Sequence, residues 1–116
     1  MTQQNVIKNF PFSEPQVLTD LVDYSEGKVV SRTLAQTESI SVTLFAFDGG
    51  EGLSTHSASG DALVQVLDGE VLLTIGGKDV IAGTGEVVAM PMNVPHSVHA
   101  RTRFKMLLTV IKKNFA

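Results

Sequence analysis

Beyond Gly27 the chain alternates between short apolar runs rich in Val, Ile, Thr and Phe and breaks made of Gly, Asp and Asn. Short runs of this composition at regular spacing are typical of β-strands joined by turns. Because convincing helical periodicity is scarce, the pattern predicts an all-β sandwich or barrel. The predicted strands are Val29–Ala35, Ile40–Phe47, Thr55–Ser57, Ala62–Leu67, Val71–Ile75, Val80–Ala82, Glu86–Met90, Ser97–Ala100 and Phe104–Ile111.

Two of the breaks predict tight hairpins. Asp68-Gly69 separates two predicted strands, and Gly76-Gly77 follows the second of them. Both dipeptides tolerate the positive φ that a two-residue hairpin turn demands. We therefore expect each of them to join strands that pair with each other.

Two of the predicted strands are apolar on both faces. Neither face of Ile40–Phe47 is polar enough to be simply solvated, and Phe104–Ile111 is apolar at nearly every position after Lys105. A small barrel has only one inside, so the extra apolar surface predicts either a homodimer interface or cover by the N-terminal segment. That segment is expected to be extended over Val6–Pro15 and to make one or two helical turns over Gln16–Val22.

The composition limits the classes of partner and cofactor. At 116 residues the chain can hold one domain with its own core. It has no cysteine, so disulfides and thiolate ligands are excluded, and a transition metal would need His, carboxylate, amide or water ligands. The net charge of -3 and the pI near 5.5 argue against a nucleic-acid partner, because phosphate contacts require a positively charged face. No apolar run approaches the roughly 18 residues of a membrane span, so we expect a soluble cytoplasmic protein.

Two glycine-bracketed segments each carry one histidine. The first is framed by Gly50, His56 and Gly69, and the second by Gly85, Pro91 and His96. The spacings in both segments resemble those of the two sequence motifs of the cupin superfamily, and the resemblance extends from about Gly27 to Lys112.

The resemblance implies a double-stranded β-helix, the jelly-roll barrel of small single-domain bacterial cupins. It divides the chain into an N-terminal arm, residues 1–26, packed on the barrel, and a single cupin domain, residues 27–116. A homodimer is also what the resemblance implies, since most small cupins form one.

The resemblance further implies a metal centre with missing ligands. A metallated cupin uses three His and one Glu around iron, manganese, nickel or zinc. This chain keeps His56 and His96, whereas Ala58 and Ala62 stand at the positions of the second His and the Glu. The resemblance therefore implies one divalent ion bound by His56 and His96, with these two residues as its only protein ligands. Three other polar residues are candidates to replace the lost ligands, but strand alternation points them away from the barrel: Asp61, Gln65 and His99.

The two alanines predict an apolar cavity with two polar anchors, which suits a small, partly hydrophobic molecule. Two functions follow: a binding module that acts as a sensor or accessory subunit, or a metal-dependent oxygenase, isomerase or decarboxylase that uses His56 and His96. A third possibility is a partner-binding domain with no small ligand. The expected pocket residues are His56, Ala58, Ala62, His96, Val98, Ala100 and Met106.

Overall fold

The computed structural model describes residues 5–113, which form nine strands and one short 3-10 turn, Leu18–Leu21. Eight strands lie within a few residues of their predicted bounds. The third begins three residues earlier than expected and ends at the first histidine. The strands are β1 Val29–Gln36, β2 Ile40–Phe47, β3 Gly52–His56, β4 Gly60–Asp68, β5 Glu70–Ile75, β6 Lys78–Gly83, β7 Val87–Met90, β8 His96–Ala100 and β9 Phe104–Lys112.

The strands form two antiparallel sheets that face each other. The larger sheet has the order β1-β2-β9-β4-β7, and the smaller one has the order β3-β8-β5-β6. Strands adjacent in the sequence are often in different sheets, which is the arrangement of a jelly roll. The predicted all-β jelly-roll class is confirmed. Among residues 5–113, no helix has the length and apolar character needed to cross a membrane.

The inner faces of the two sheets enclose the main core. Phe47 and Phe104 stack there with ring centroids 4.6 Å apart, and both side chains are fully buried. Even-numbered residues of β9 and β4 point inward, so Met106 and Val64 join the same cluster. Val71 and Leu73 of the smaller sheet belong to this cluster too, so side chains from both sheets pack together and hold the barrel closed.

A second core lies on the outer face of the larger sheet. Leu44 and Ala46 of β2 are fully buried there, although they point away from the barrel. The N-terminal residues Phe10, Leu18 and Val22 pack against them. The apolar outer face of β2 is thus covered, over this part of the sheet, by the chain's own N-terminal segment.

Polar contacts also fix this segment to the barrel. The Lys105 ammonium donates a hydrogen bond to the Thr19 carbonyl at 2.6 Å and lies 4.7 Å from the centre of the Tyr24 ring. The Tyr24 hydroxyl donates to the Asp68 carboxylate at 2.5 Å. Burial, followed by the hydrogen bond and charge of Asp68, raises the pKa of Tyr24 above its ordinary value.

One of the two predicted hairpins is confirmed and the other is wrong. Gly76 and Gly77, with φ of 56° and 80°, close the hairpin between β5 and β6. Asp68-Gly69 instead turns the chain from β4 in one sheet to β5 in the other. Gly69 has a φ of 82°, and a Cβ there would overlap the Arg103 carbonyl oxygen. Asp68-Gly69 thus provides the positive φ needed where the chain passes close to Arg103. It does not join two strands that pair with each other.

Candidate functional site

The structure brings the two motif histidines together. His56 is the last residue of β3 and His96 the first of β8, and the two are register partners in the smaller sheet. Their ring centroids are 4.4 Å apart with an edge-to-face angle of 64°. We call these two side chains the histidine pair.

Main-chain carbonyls orient both rings. Nδ1 of His56 lies 2.9 Å from the Ser54 oxygen, and Nδ1 of His96 lies 3.1 Å from the Val94 oxygen. A carbonyl can only accept, so each Nδ1 carries the hydrogen and donates it. In the neutral ring Nε2 then presents a lone pair. Both imidazoles therefore offer the same ring nitrogen to a ligand, in a geometry that the backbone sets.

The two rings differ in exposure. His96 is only 4% exposed, whereas His56 is exposed to solvent. His56 lies on the edge strand β3, whose pairing with β8 shifts register between Leu53 and His56, whereas His96 lies on an inner strand of the sheet. A ligand that reached the pair would thus meet His56 first and His96 at the inner side.

The loops that precede and follow the histidines are tied to each other. The Asn93 amide donates to the Ala58 carbonyl at 2.9 Å, and the Met92 amide donates to the Asp61 carboxylate at 2.8 Å. Asn93 adopts a φ of 63°, which asparagine tolerates better than most residues. Sequence reasoning missed this role of Asp61. The available signal in the sequence was that Asp61 directly precedes Ala62. Ala62 pairs with Met90, and the loop that contains Met92 and Asn93 begins just after Met90.

The candidate replacement ligands lie outside the site. Asp61, Gln65 and His99 are all exposed, each one residue out of step with buried neighbours on its strand. Within residues 5–113 no three His, Cys, Asp or Glu side chains come close enough together to hold a metal ion. The residues around the histidine pair consequently do not fit the four-ligand cage that the cupin resemblance implies.

The expected pocket residues divide into two sets. Ala62, Val98, Ala100 and Met106 belong to the inner core and are at most 5% exposed. Ala58 is half-buried beside the histidine pair, next to the loop that its carbonyl holds. The histidine pair and Ala58 therefore lie where β3 ends and β8 begins, while the remaining members are part of the packed inner core.

Comparisons with known proteins agree with this fold. The family model described as "Cupin domain" matches residues 43–112. No curated protein matches the chain. The solved structure of a conserved protein of unknown function from Streptococcus pyogenes is 32% identical, with a TM-score of 0.95, over 98% of this chain and 100% of that one.

Two further solved structures carry the family name. A cupin superfamily protein from Desulfitobacterium hafniense is 31% identical, with a TM-score of 0.88, over 92% of this chain and 98% of that one. A cupin 2 conserved barrel domain protein from Leptotrichia buccalis is 45% identical, with a TM-score of 0.79, over 81% of this chain and 46% of that one. With its jelly roll, its paired motif histidines and these matches, the chain belongs to the cupin domain family.

Proposed function

We propose that this protein binds a small, partly apolar molecule at the end of the barrel that carries the histidine pair, and that it acts as a sensor or accessory binding module. The observation that supports the proposal is the arrangement of the two rings, 4.4 Å apart and each fixed through Nδ1 to a main-chain carbonyl. Two oriented ring nitrogens beside apolar strand neighbours such as Ile75 are the lining expected of a small-molecule site.

The chemistry of the two rings selects the ligand class. A neutral imidazole that donates through Nδ1 accepts through Nε2, so the pair suits a molecule with one or two hydroxyl or amine hydrogens. Ile75 is the register partner of His96, and Leu53 is that of Val98 on the neighbouring strand. Both apolar side chains pack against the inner core. The rest of the ligand is therefore expected to be hydrocarbon.

A metal-dependent enzyme of the oxygenase, isomerase or decarboxylase class is the second candidate. The observation in its favour is that metal-binding histidines usually donate their other ring hydrogen to a carbonyl or carboxylate, as His56 and His96 do. Over residues 5–113 the two rings gain no third ligand of the His, Cys, Asp or Glu type, so this candidate ranks below the binding module.

Elemental analysis of protein purified without added metal separates the two candidates. Stoichiometric metal that is lost in the His56→Ala/His96→Ala double variant would favour the enzyme. Substoichiometric metal in the wild type, together with a bound organic molecule in native mass spectrometry, is the result we expect of the binding module.

A matched control is available for ligand binding. The chain has three histidines, and His99 lies on the same strand as His96 but points outward. In an NMR screen of small hydroxylated aromatic compounds, we expect hits to shift the ring signals of His56 and His96 but not those of His99. Binding should be lost in His96→Ala and retained in His99→Ala. Hits that bind equally well to both variants would contradict the proposal.

A further inference from the structure

The histidine pair continues into a row of residues across the smaller sheet. His96 is the register partner of His56 on one side and of Ile75 on the other, and Ile75 is in turn the register partner of Lys78. Directly opposed residues of antiparallel strands present their side chains on the same face of a sheet. One face therefore carries, in order, two imidazoles, an aliphatic side chain and an ammonium group. We call these four residues the site row: His56, His96, Ile75 and Lys78.

The site row lies at the end of the inner face. Ile75 packs against the inner core, and so does Val80, which is two residues from Lys78 on β6. Since residues two apart on a strand share a face, Lys78 is on the inner face as well. Every member of the row is the first or the last residue of its strand. Lys78 is exposed to solvent, so it is accessible to a molecule that approaches the row.

The turn that carries Lys78 is held against the segment that carries His96. The Gly76 amide donates a hydrogen bond to the Pro95 carbonyl at 2.8 Å. A Cβ on Gly77 would meet no atom of residues 5–113 within 4 Å, so the space beside the turn is open. Two strand spacings separate Lys78 from His96, which is roughly 10 Å between their Cα atoms. The lysine stem can extend into this gap, so the ammonium and the imidazoles can contact opposite ends of one small molecule.

The charge of Lys78 is not neutralised by the protein. Among residues 5–113 its ammonium forms no salt bridge. The neighbouring Asp79 lies on the opposite face of β6, where its carboxylate accepts a hydrogen bond from the Thr74 hydroxyl at 2.8 Å. An ammonium without a partner is a ready donor to an anionic group, because hydrogen bonds between ionised groups are stronger than those between neutral ones.

We propose that the small molecule bound at the histidine pair carries a carboxylate, and that Lys78 binds this carboxylate. This inference rests on the proposed function and names the ligand class for the same site. The ligand has a hydroxyl or amine hydrogen at one end for Nε2 of the histidines, a hydrocarbon middle against Ile75 and a carboxylate at the other end. The order of these three parts is the order of the site row.

Two probes that differ only in charge test the ligand class. The compound 3-(4-hydroxyphenyl)propanoate has a hydroxyl, a hydrocarbon middle and a carboxylate, and 3-(4-hydroxyphenyl)propanamide is its uncharged counterpart. In NMR titrations of the full chain, we expect the acid to bind about fivefold more tightly than the amide, the size expected of one solvent-exposed ion pair. This preference should shrink when the salt concentration is raised from about 20 mM to about 500 mM, because salt screens exposed charges.

Variants at Lys78 test the residue itself. Lys78→Met removes the charge and keeps most of the stem, so the affinity for the acid should fall to that for the amide. The matched control is Lys28→Met, which removes an exposed lysine just before β1 of the larger sheet and should keep the preference. Lys78→Glu should reverse the preference in favour of the amine analogue, 3-(4-hydroxyphenyl)propan-1-amine. Far-UV circular dichroism of each variant checks that it is folded.

The outcomes separate this inference from the proposed function. Equal binding of acid and amide to the wild type, with both lost in His96→Ala, would overturn the role of Lys78 and leave the proposed function standing. A preference for the acid that persists in Lys78→Met would also overturn it. If neither probe binds the wild type at about 10 mM, the ligand class is wrong, and the wider NMR screen then decides the proposed function. Acid that still binds to His96→Ala would contradict both.

Discussion

Met106→Ala tests whether the inner core, to which most of the expected pocket residues belong, is closely packed or contains empty space. Met106 is fully buried in the inner core, with Phe47 and Phe104 in the same cluster. The substitution removes three side-chain heavy atoms, a transfer free energy of about 2.4 kcal/mol at about 0.8 kcal/mol per methylene-sized group. A cavity left in a close-packed core adds to this, so we expect a loss of about 3 to 4 kcal/mol.

Urea unfolding followed by circular dichroism measures that loss. With a slope of about 1.5 kcal/mol per molar urea, the midpoint should fall by about 2 M. Ile81→Ala, on the exposed outer face of β6, is the control and should change the free energy of unfolding by less than about 1 kcal/mol. A loss below about 1 kcal/mol for Met106→Ala would refute the close packing of the inner core, because only a side chain beside existing empty space is removed so easily.

Three further predictions concern the turn, the single tyrosine and the histidines. Gly69→Ala should lower the free energy of unfolding by at least about 2 kcal/mol more than Gly77→Ala in urea unfolding, because both have positive φ but a Cβ meets backbone atoms only at Gly69. Tyr24 is the only tyrosine and there is no tryptophan, so tyrosinate absorbance reports its ionisation directly, and the midpoint should lie above that of free tyrosine. Because folding raises the pKa of Tyr24, its stabilising contribution should be present below about pH 10, decline at higher pH, and be missing in Tyr24→Phe. By thermal or urea unfolding, His56→Ala should cost less than about 1 kcal/mol, whereas His96→Ala should cost about 2 kcal/mol because it opens a buried position and leaves the Val94 carbonyl without its donor.

The strand pattern was predictable because alternation reports which face of each strand is buried. Ile40–Phe47 has the same bounds in the sequence analysis and in the structure. Asp68-Gly69 shows the limit of such reasoning. A turn signal reports a permitted φ, whereas the next strand, β5, pairs with β6 and with the distant β8, His96–Ala100, which the dipeptide itself does not indicate.

The histidine pair likewise has features that the sequence predicts and features that it does not. Motif spacing and strand parity place His56 and His96 near each other, and parity also explains why His99 points outward. The unequal exposure of the two rings was not predictable, because neither the edge position of β3 nor its register shift after Leu53 has a local sequence signal. The contact of Tyr24 with Asp68, 44 residues away, carries no local sequence signal at all.

The bond from the Asn93 amide to the Ala58 carbonyl means that the two ring-bearing segments cannot drift apart independently. Both imidazoles are therefore already in position before a ligand binds, so binding should cost little conformational entropy. Asp61→Ala removes the carboxylate that accepts the hydrogen bond from the Met92 amide and should loosen this connection between the loops. We therefore expect it to weaken ligand binding although it alters no atom that contacts the ligand.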